Sequence, residues 1–178
     1  MSERDEYIRK FDPYRDEDGQ VLETSEMYVK RMQTEHLPHW PEEVLTEWFY
    51  WHQGHLEKYA FLRYETFHFE QQTWPLAWIP GREAFDRGDF CDKFSNIQLR
   101  AEKKDDWLAN HMLKHGTWNT PIVLLHNLDS EYRFPCGKPL KSPYHLLEGH
   151  RRLSFLNGLR NIDKALAEHK MWLVRLGY

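Results

Sequence analysis

Cysteine is nearly absent. Cys91 and Cys136 are the two in 178 residues, and without C-x-x-C spacing they offer neither a zinc site nor a disulfide framework and disfavour a redox role. Long apolar runs are missing too: no stretch approaches the roughly 18 apolar residues that a membrane-spanning helix requires. The opening Met1-Ser2-Glu3-Arg4-Asp5-Glu6 lacks the basic region and apolar run of a secretory leader. Together these absences predict a cytoplasmic protein without membrane insertion. Neither an internal repeat nor a low-complexity tract is visible. A dense basic stripe is lacking as well, and the net charge is -4, which weighs against a dedicated nucleic-acid surface.

What is present is a globular composition, with 40% apolar and 29% charged residues. A chain of this length buries about 70% of its unfolded surface as one ordinary domain. Eight Trp, nine Tyr and ten Phe imply either a heavily aromatic core or an exposed aromatic surface for a partner, and composition does not separate the two. The two ends differ in charge. Acids dominate the first 39 residues, whereas from Lys138 onward Lys141, Arg151, Arg152, Arg160, Lys164, Lys170 and Arg175 outnumber Glu148, Asp163 and Glu168. An anionic ligand is therefore drawn to the C-terminal part.

The N-terminal region reads as an acidic arm with a short helix near Ser25–Met32. Pro41-Glu42-Glu43 is a helix start, and Val44, Leu45, Trp48, Phe49 and Trp51 predict a helix over 42–61. His52 and His55 within it read as surface residues and are assigned no metal. Residues 73–79 are expected as a strand that Pro75 confines to an edge, and 96–100 as a short extended piece. A helix follows, capped by Asp105 or Asp106 and stopped by Gly116, with Trp107, Leu108, Met112 and Leu113 at helical spacing. Apolar runs at 121–126 and 144–147 predict strands joined by a loop containing Pro135–Pro139. Helices over 150–158 and 162–169 and a final strand at 171–176 complete a mixed α/β (α+β) layout: a small mixed sheet with packed helices and an N-terminal helical extension. The division expected is 1–62 for the extension and 63–178 for the domain. His145, inside a strand, is expected to be structural.

The most informative stretch is Glu148-Gly149-His150-Arg151-Arg152, where a strand ends, glycine turns and a helix begins with two arginines. The first turn of a helix presents unpaired N–H groups and a positive dipole end. Glycine permits close approach of an anion, and arginine grips phosphate oxygens with paired hydrogen bonds. The alternative is an ordinary strand–helix turn with solvated arginines, in which Glu148 simply pairs with an arginine.

Over roughly residues 95–176 the chain resembles the ParB N-terminal domain and its sulfiredoxin-fold relatives. The family order of Gln-Pro-Arg, helix, Gly, Pro-Ile strand and Gly-Glu-Arg-Arg box is matched by Gln98-Leu99-Arg100, then Asp106 to Gly116, Pro121-Ile122 and Gly149-His150-Arg151-Arg152. Leu99 stands in place of the family's proline, and Gly116 and Pro121 are one residue further apart than usual. The resemblance implies that Gly149, His150, Arg151 and Arg152 bind nucleotide phosphate, with Arg100 joining and the loop from Gly116 to Thr120 beside the nucleotide. His150 falls where sulfiredoxins carry their nucleophilic cysteine, so sulfinic-acid reduction is not expected. Free-serine kinases of this fold look similar through Asp-Gly-His-His-Arg, and the double arginine is that of the ParB CTPases.

Three functions follow as expectations. The first is an NTPase or phosphotransferase using ATP or another NTP with Mg²⁺, in which Glu148 holds the metal or acts as base, His150 supplies a proton or hydrogen bond, and Arg152 with Arg151 stabilises charge on the phosphoryl group. The second is a metal-dependent DNase resembling small plasmid-encoded members of the superfamily that suppress conjugative transfer. The third is a non-catalytic module with a vestigial nucleotide pocket that binds a protein partner through Trp48, Phe49 and Trp51, the alternative being that these aromatics are core.

Overall fold

The computed structural model describes residues 3–177. Two compact units are formed, one by the residues up to Phe69 with those from Arg175 onward, the other by Glu70–Val174.

In the first unit α1 (Glu3–Arg9) precedes α2 (Ser25–Glu35), which starts where the Thr24 hydroxyl accepts the Met27 N–H at 3.2 Å. The expected long helix over 42–61 is broken into pieces. A single turn, α3 (Glu42–Val44), widens into a π-helical turn over Leu45–Tyr50; after Trp51 and His52 come a 3₁₀ turn at Gln53–His55, α4 (Leu56–Tyr59) and a further 3₁₀ turn at Ala60–Leu62. The physical reason is in the side chains. Val44, Leu45, Trp48 and Phe49 are all buried, and the wider π turn points adjacent aromatics inward together. His52 to His55 offer no apolar group to bury, so the helix has nothing to hold it there.

The core of this unit is aromatic. Trp40, Trp48, Phe49, Tyr64 and Phe67 are buried, and ring pairs meet edge-on, Trp40 with Phe49 at 4.7 Å and Phe49 with Tyr64 at 4.9 Å. Such pairs add about 0.5–1.5 kcal/mol each beyond area burial. Trp48 and Phe49 are thus core residues, while Trp51 is 64% exposed. The polar tips are mostly satisfied: Trp40 Nε1 donates to the Tyr64 carbonyl at 3.1 Å and Tyr28 Oη to that of Phe11 at 2.6 Å. Beside them Arg31 Nε donates to Glu23 at 2.8 Å, both side chains being largely buried, and the Tyr14 amide donates to the same carboxylate.

A four-stranded mixed sheet runs in the order β1 (Phe67–Pro75), β4 (Glu168–Leu176), β2 (Ile122–His126), β3 (Tyr144–Glu148). β2 lies parallel to β4, with Ile122 opposite Met171 and Leu124 opposite Leu173, and antiparallel to β3, with Leu124 opposite Leu146. As the continuous apolar run implies, Ile122–Leu125 is buried on both faces. The expected strand over 73–79 is displaced toward the N-terminus. Pro75, lacking an N–H, ends β1, and Leu76–Trp78 form a 3₁₀ turn.

The second unit packs four helices around the core: α5 (Gly88–Phe94), α6 (Ile97–Lys104), α7 (Trp107–His115) and α8 (His150–Arg160). α6 replaces the extended piece expected at 96–100. Asn96 caps it by accepting the Leu99 N–H at 3.1 Å, and its sequence continues in Ala101, Glu102 and two lysines, all good helix formers. Of the two candidate caps for α7, Asp106 accepts from Leu108 and Ala109, whereas Asp105 takes the left-handed turn that ends α6. No helix forms over 162–169. Asp163 has φ +54, the Leu166 amide donates to Gly116, and β4 begins at Glu168. Leu153, Phe155, Leu156 and Leu159 of α8 bury against Ile122, Leu124, Met171 and Leu173. The β2–β3 connection is organised by buried Asn127, whose amide donates to the Leu140 and Lys141 carbonyls and whose oxygen accepts from Tyr132. His145 is buried and accepts the Lys141 N–H at 3.0 Å, a structural role. Among the described residues no helix is long and apolar enough to cross a membrane.

Candidate functional site

β3 delivers Glu148 to the end of the sheet, and Gly149 turns the chain into α8 with φ +96. Glycine is required here twice over. The left-handed conformation disfavours side chains, and a Cβ would come within 2.6 Å of Ile122 Cγ2. The turn therefore sits hard against the first residue of β2. As the residue preceding the helix, Gly149 accepts the Leu153 N–H through its carbonyl but has no side chain with which to cap the first-turn amides.

The two arginines of the turn divide. Arg152 is 6% exposed and its guanidinium donates to Glu148 one helical turn back, joining the end of β3 to the start of α8. Arg151 is exposed and donates to Asp106, whose other carboxylate oxygen caps α7. Its guanidinium also lies 6.0 Å from the Phe94 ring, and that of Arg100 lies 4.4 Å from the same ring. Phe94 is thus a shared neighbour of Arg100, from α6, and Arg151, from α8. His150 is half-buried and set edge-on between Phe85 at 5.9 Å and Phe90 at 5.8 Å. The two ion pairs, Arg152 with Glu148 and Arg151 with Asp106, flank the turn, while Arg100 is half-buried and its guanidinium donates to the Lys93 carbonyl at 3.4 Å.

The remaining sequence-predicted residues separate. Thr120, whose hydroxyl accepts from the Asn119 amide at 3.0 Å, lies two residues before Ile122 and so leads directly into the strand that Gly149 abuts. Gly116 has φ +69 and closes α7; its carbonyl accepts from Leu166 and a Cβ would meet the Lys164 carbonyl at 2.8 Å. Its neighbours are the turn after α8 rather than Gly149. Glu148, the residue named for Mg²⁺, is held by Arg152, and among the described residues no three His, Cys, Asp or Glu side chains converge on a point.

Sequence reasoning missed the aromatic surround. The segment carrying Phe85, Phe90 and Phe94 reads as a loop, but α5 stacks Phe90 on Phe94 at 4.6 Å and turns both toward the Gly149 helix start. Their i, i+4 spacing was the available signal. It also missed a buried polar pair, Thr117 Oγ1 with His169 Nδ1 at 2.8 Å, whose other ring nitrogen faces the Leu166 carbonyl at 3.1 Å. That pairing makes the threonine hydroxyl the donor to a neutral imidazole, and burial holds His169 below the usual histidine range. No family model, no curated protein and no solved structure matches the chain.

Proposed function

We propose that the Gly149 turn binds the phosphates of a nucleotide and that the protein hydrolyses or transfers a phosphoryl group of ATP or another NTP. The observation that supports this reading is that Arg151, on the first turn of a helix with no side-chain cap, and Arg100 both lie against Phe94, so that amide N–H groups, a dipole and guanidinium charge act on an anion at this turn. The resemblance of this stretch to the ParB and sulfiredoxin-fold box supports it. A cytoplasmic setting, where NTP and Mg²⁺ are both held, belongs to the same reading.

The residues take distinct roles. Arg151 exchanges Asp106 for a phosphate oxygen, and Arg100 neutralises a second. Arg152 keeps Glu148 oriented at the strand end, where the carboxylate can hold a Mg²⁺-bound water or accept a proton from the attacking nucleophile. Mg²⁺ supplies neutralisation of charge on the phosphates when bound. The His150 ring, fixed between two phenylalanines, donates a hydrogen bond toward the same oxygens. Thr120, at the entry of β2, contacts the nucleotide from the other side of the turn.

The test is Mg²⁺-dependent phosphate release across ATP, CTP, GTP and UTP, with and without single- and double-stranded DNA. Turnover in the wild type that falls on the order of 100-fold in Arg151→Ala, with an unchanged circular dichroism spectrum, is the expected outcome. Neither binding nor turnover of any nucleotide by the wild type would remove the reading. Cleavage of DNA that is lost in Glu148→Ala would replace it with the nuclease.

A further inference from the structure

Two histidines stand one turn apart on α7, and the nucleotide reading uses neither. His111 and His115 are spaced i, i+4, which places both on one face of the helix, and their ring centroids lie 4.5 Å apart. The helix that presents them is anchored along its whole length. Asp106 caps its start, Gly116 closes its end, and Leu108, Ala109 and Met112 are buried beneath it. His115 is exposed and His111 half-buried, so the pair opens to solvent.

What distinguishes this pair from the other two histidine pairs is that its ring nitrogens are uncommitted. His39 Nε2 is bound to the Phe67 carbonyl at 2.7 Å, with its partner His68 at 6.0 Å, and His52 Nδ1 to the Glu47 carbonyl at 2.5 Å, with His55 at 6.3 Å. Among the described residues neither His111 nor His115 has a hydrogen-bond or ion-pair partner. Two imidazoles held this close, on a rigid backbone and without other work, form a bidentate chelate for a borderline-soft cation.

We propose that His111 and His115 bind one divalent transition-metal ion of the Zn²⁺, Ni²⁺, Cu²⁺ class, each through one imidazole nitrogen, with water filling the other positions. No third His, Cys, Asp or Glu joins them among the described residues, so the site is an open one and weaker than a closed structural zinc centre. Hard cations such as Mg²⁺, which select oxygen ligands, are not bound here, and this keeps the site separate from the phosphate chemistry of the Gly149 turn. Among the transition-metal ions Cu²⁺ binds most tightly.

The experiment is calorimetric titration of the full chain with Cu²⁺, Ni²⁺, Zn²⁺ and Mg²⁺ separately, joined to electron paramagnetic resonance of the Cu²⁺ form. One ion per chain is expected, with two nitrogen ligands in the Cu²⁺ spectrum and a melting temperature that rises with Ni²⁺ concentration, because the folded helix alone holds both rings together. His111→Ala and His115→Ala should each lose that binding step and the two-nitrogen Cu²⁺ spectrum, while keeping the wild-type circular dichroism spectrum. A His52→Ala/His55→Ala protein should bind as the wild type does. The proposal is overturned by absence of binding in the wild type, by a binding step that survives in both single variants, or by its loss in the His52/His55 double variant.

Discussion

At the scale of single residues the Gly149 turn makes the sharpest demands. Gly149→Ala places a methyl group in the left-handed region and against Ile122, so a loss of about 2–4 kcal/mol is expected from strain and overpacking together, read as a lower urea midpoint. Arg152 and Glu148 are a mostly buried pair, and removing either partner leaves the other's charge without compensation. Glu148→Ala and Arg152→Ala should each cost about 3–5 kcal/mol, and the double variant less than the sum of the two. Chemical denaturation of the four proteins of this cycle measures the coupling. Additive losses would show that the pair does not act as a unit. Arg151→Ala contrasts with these. Its side chain is 43% exposed, so its loss should cost under about 1 kcal/mol and leave stability intact while binding is tested.

Secondary-structure elements are held in place by a few polar ties, and their loss acts on whole segments. The Arg160 guanidinium at the end of α8 donates to the carbonyls of Leu76 at 2.9 Å and Ile79 at 2.6 Å, gathering the irregular segment after β1 onto the helix. Arg160→Met keeps the stem but orphans those carbonyls, and a loss of about 2–4 kcal/mol is expected, with faster amide exchange in residues 76–80. Legibility from sequence also differed by element. α7 was readable because Asp106, the apolar spacing and Gly116 all agree, and β2 because its apolar run is bounded by turn residues. α6 was not, since Ile97 is its sole buried residue and the pattern was too short to declare a period. The π turn over Leu45–Tyr50 keeps the helical composition expected of 42–61, but its extra width is a packing solution that propensity does not encode.

Across the molecule, buried ionisable groups contribute to how stability depends on pH, among them His169 and Glu23. Burial holds the native His169 imidazole below its ordinary 6.5, so the folded state binds fewer protons than the unfolded chain as pH drops. Stability is complete above that value and is lost as pH falls from about 6.5 toward the folded pKa. Glu23, whose carboxylate is held low chiefly by its hydrogen bond to Arg31, contributes stability that is present above its ordinary 4.5 and lost as pH falls further. Urea midpoints from pH 8 to 4 should decline first below pH 6.5, and His169→Gln should reduce that first decline, to which His111 also contributes, while leaving the acid one. Sequence alone determined the mixed α/β class, the inner strand near 121–126, the helix that Asp105 or Asp106 opens and Gly116 stops, and the strand–glycine–helix turn at Glu148–Arg152, because local periodicity, caps and glycine conformation are properties of neighbouring residues. Tertiary structure alone decided that Trp48 and Phe49 are core, that Arg152 is spent on Glu148 while Arg151 and Arg100 each lie against Phe94, and that Gly116 faces the turn after α8. Each of those outcomes depends on which distant segments share a contact, and only packing of the chain in three dimensions brings them together.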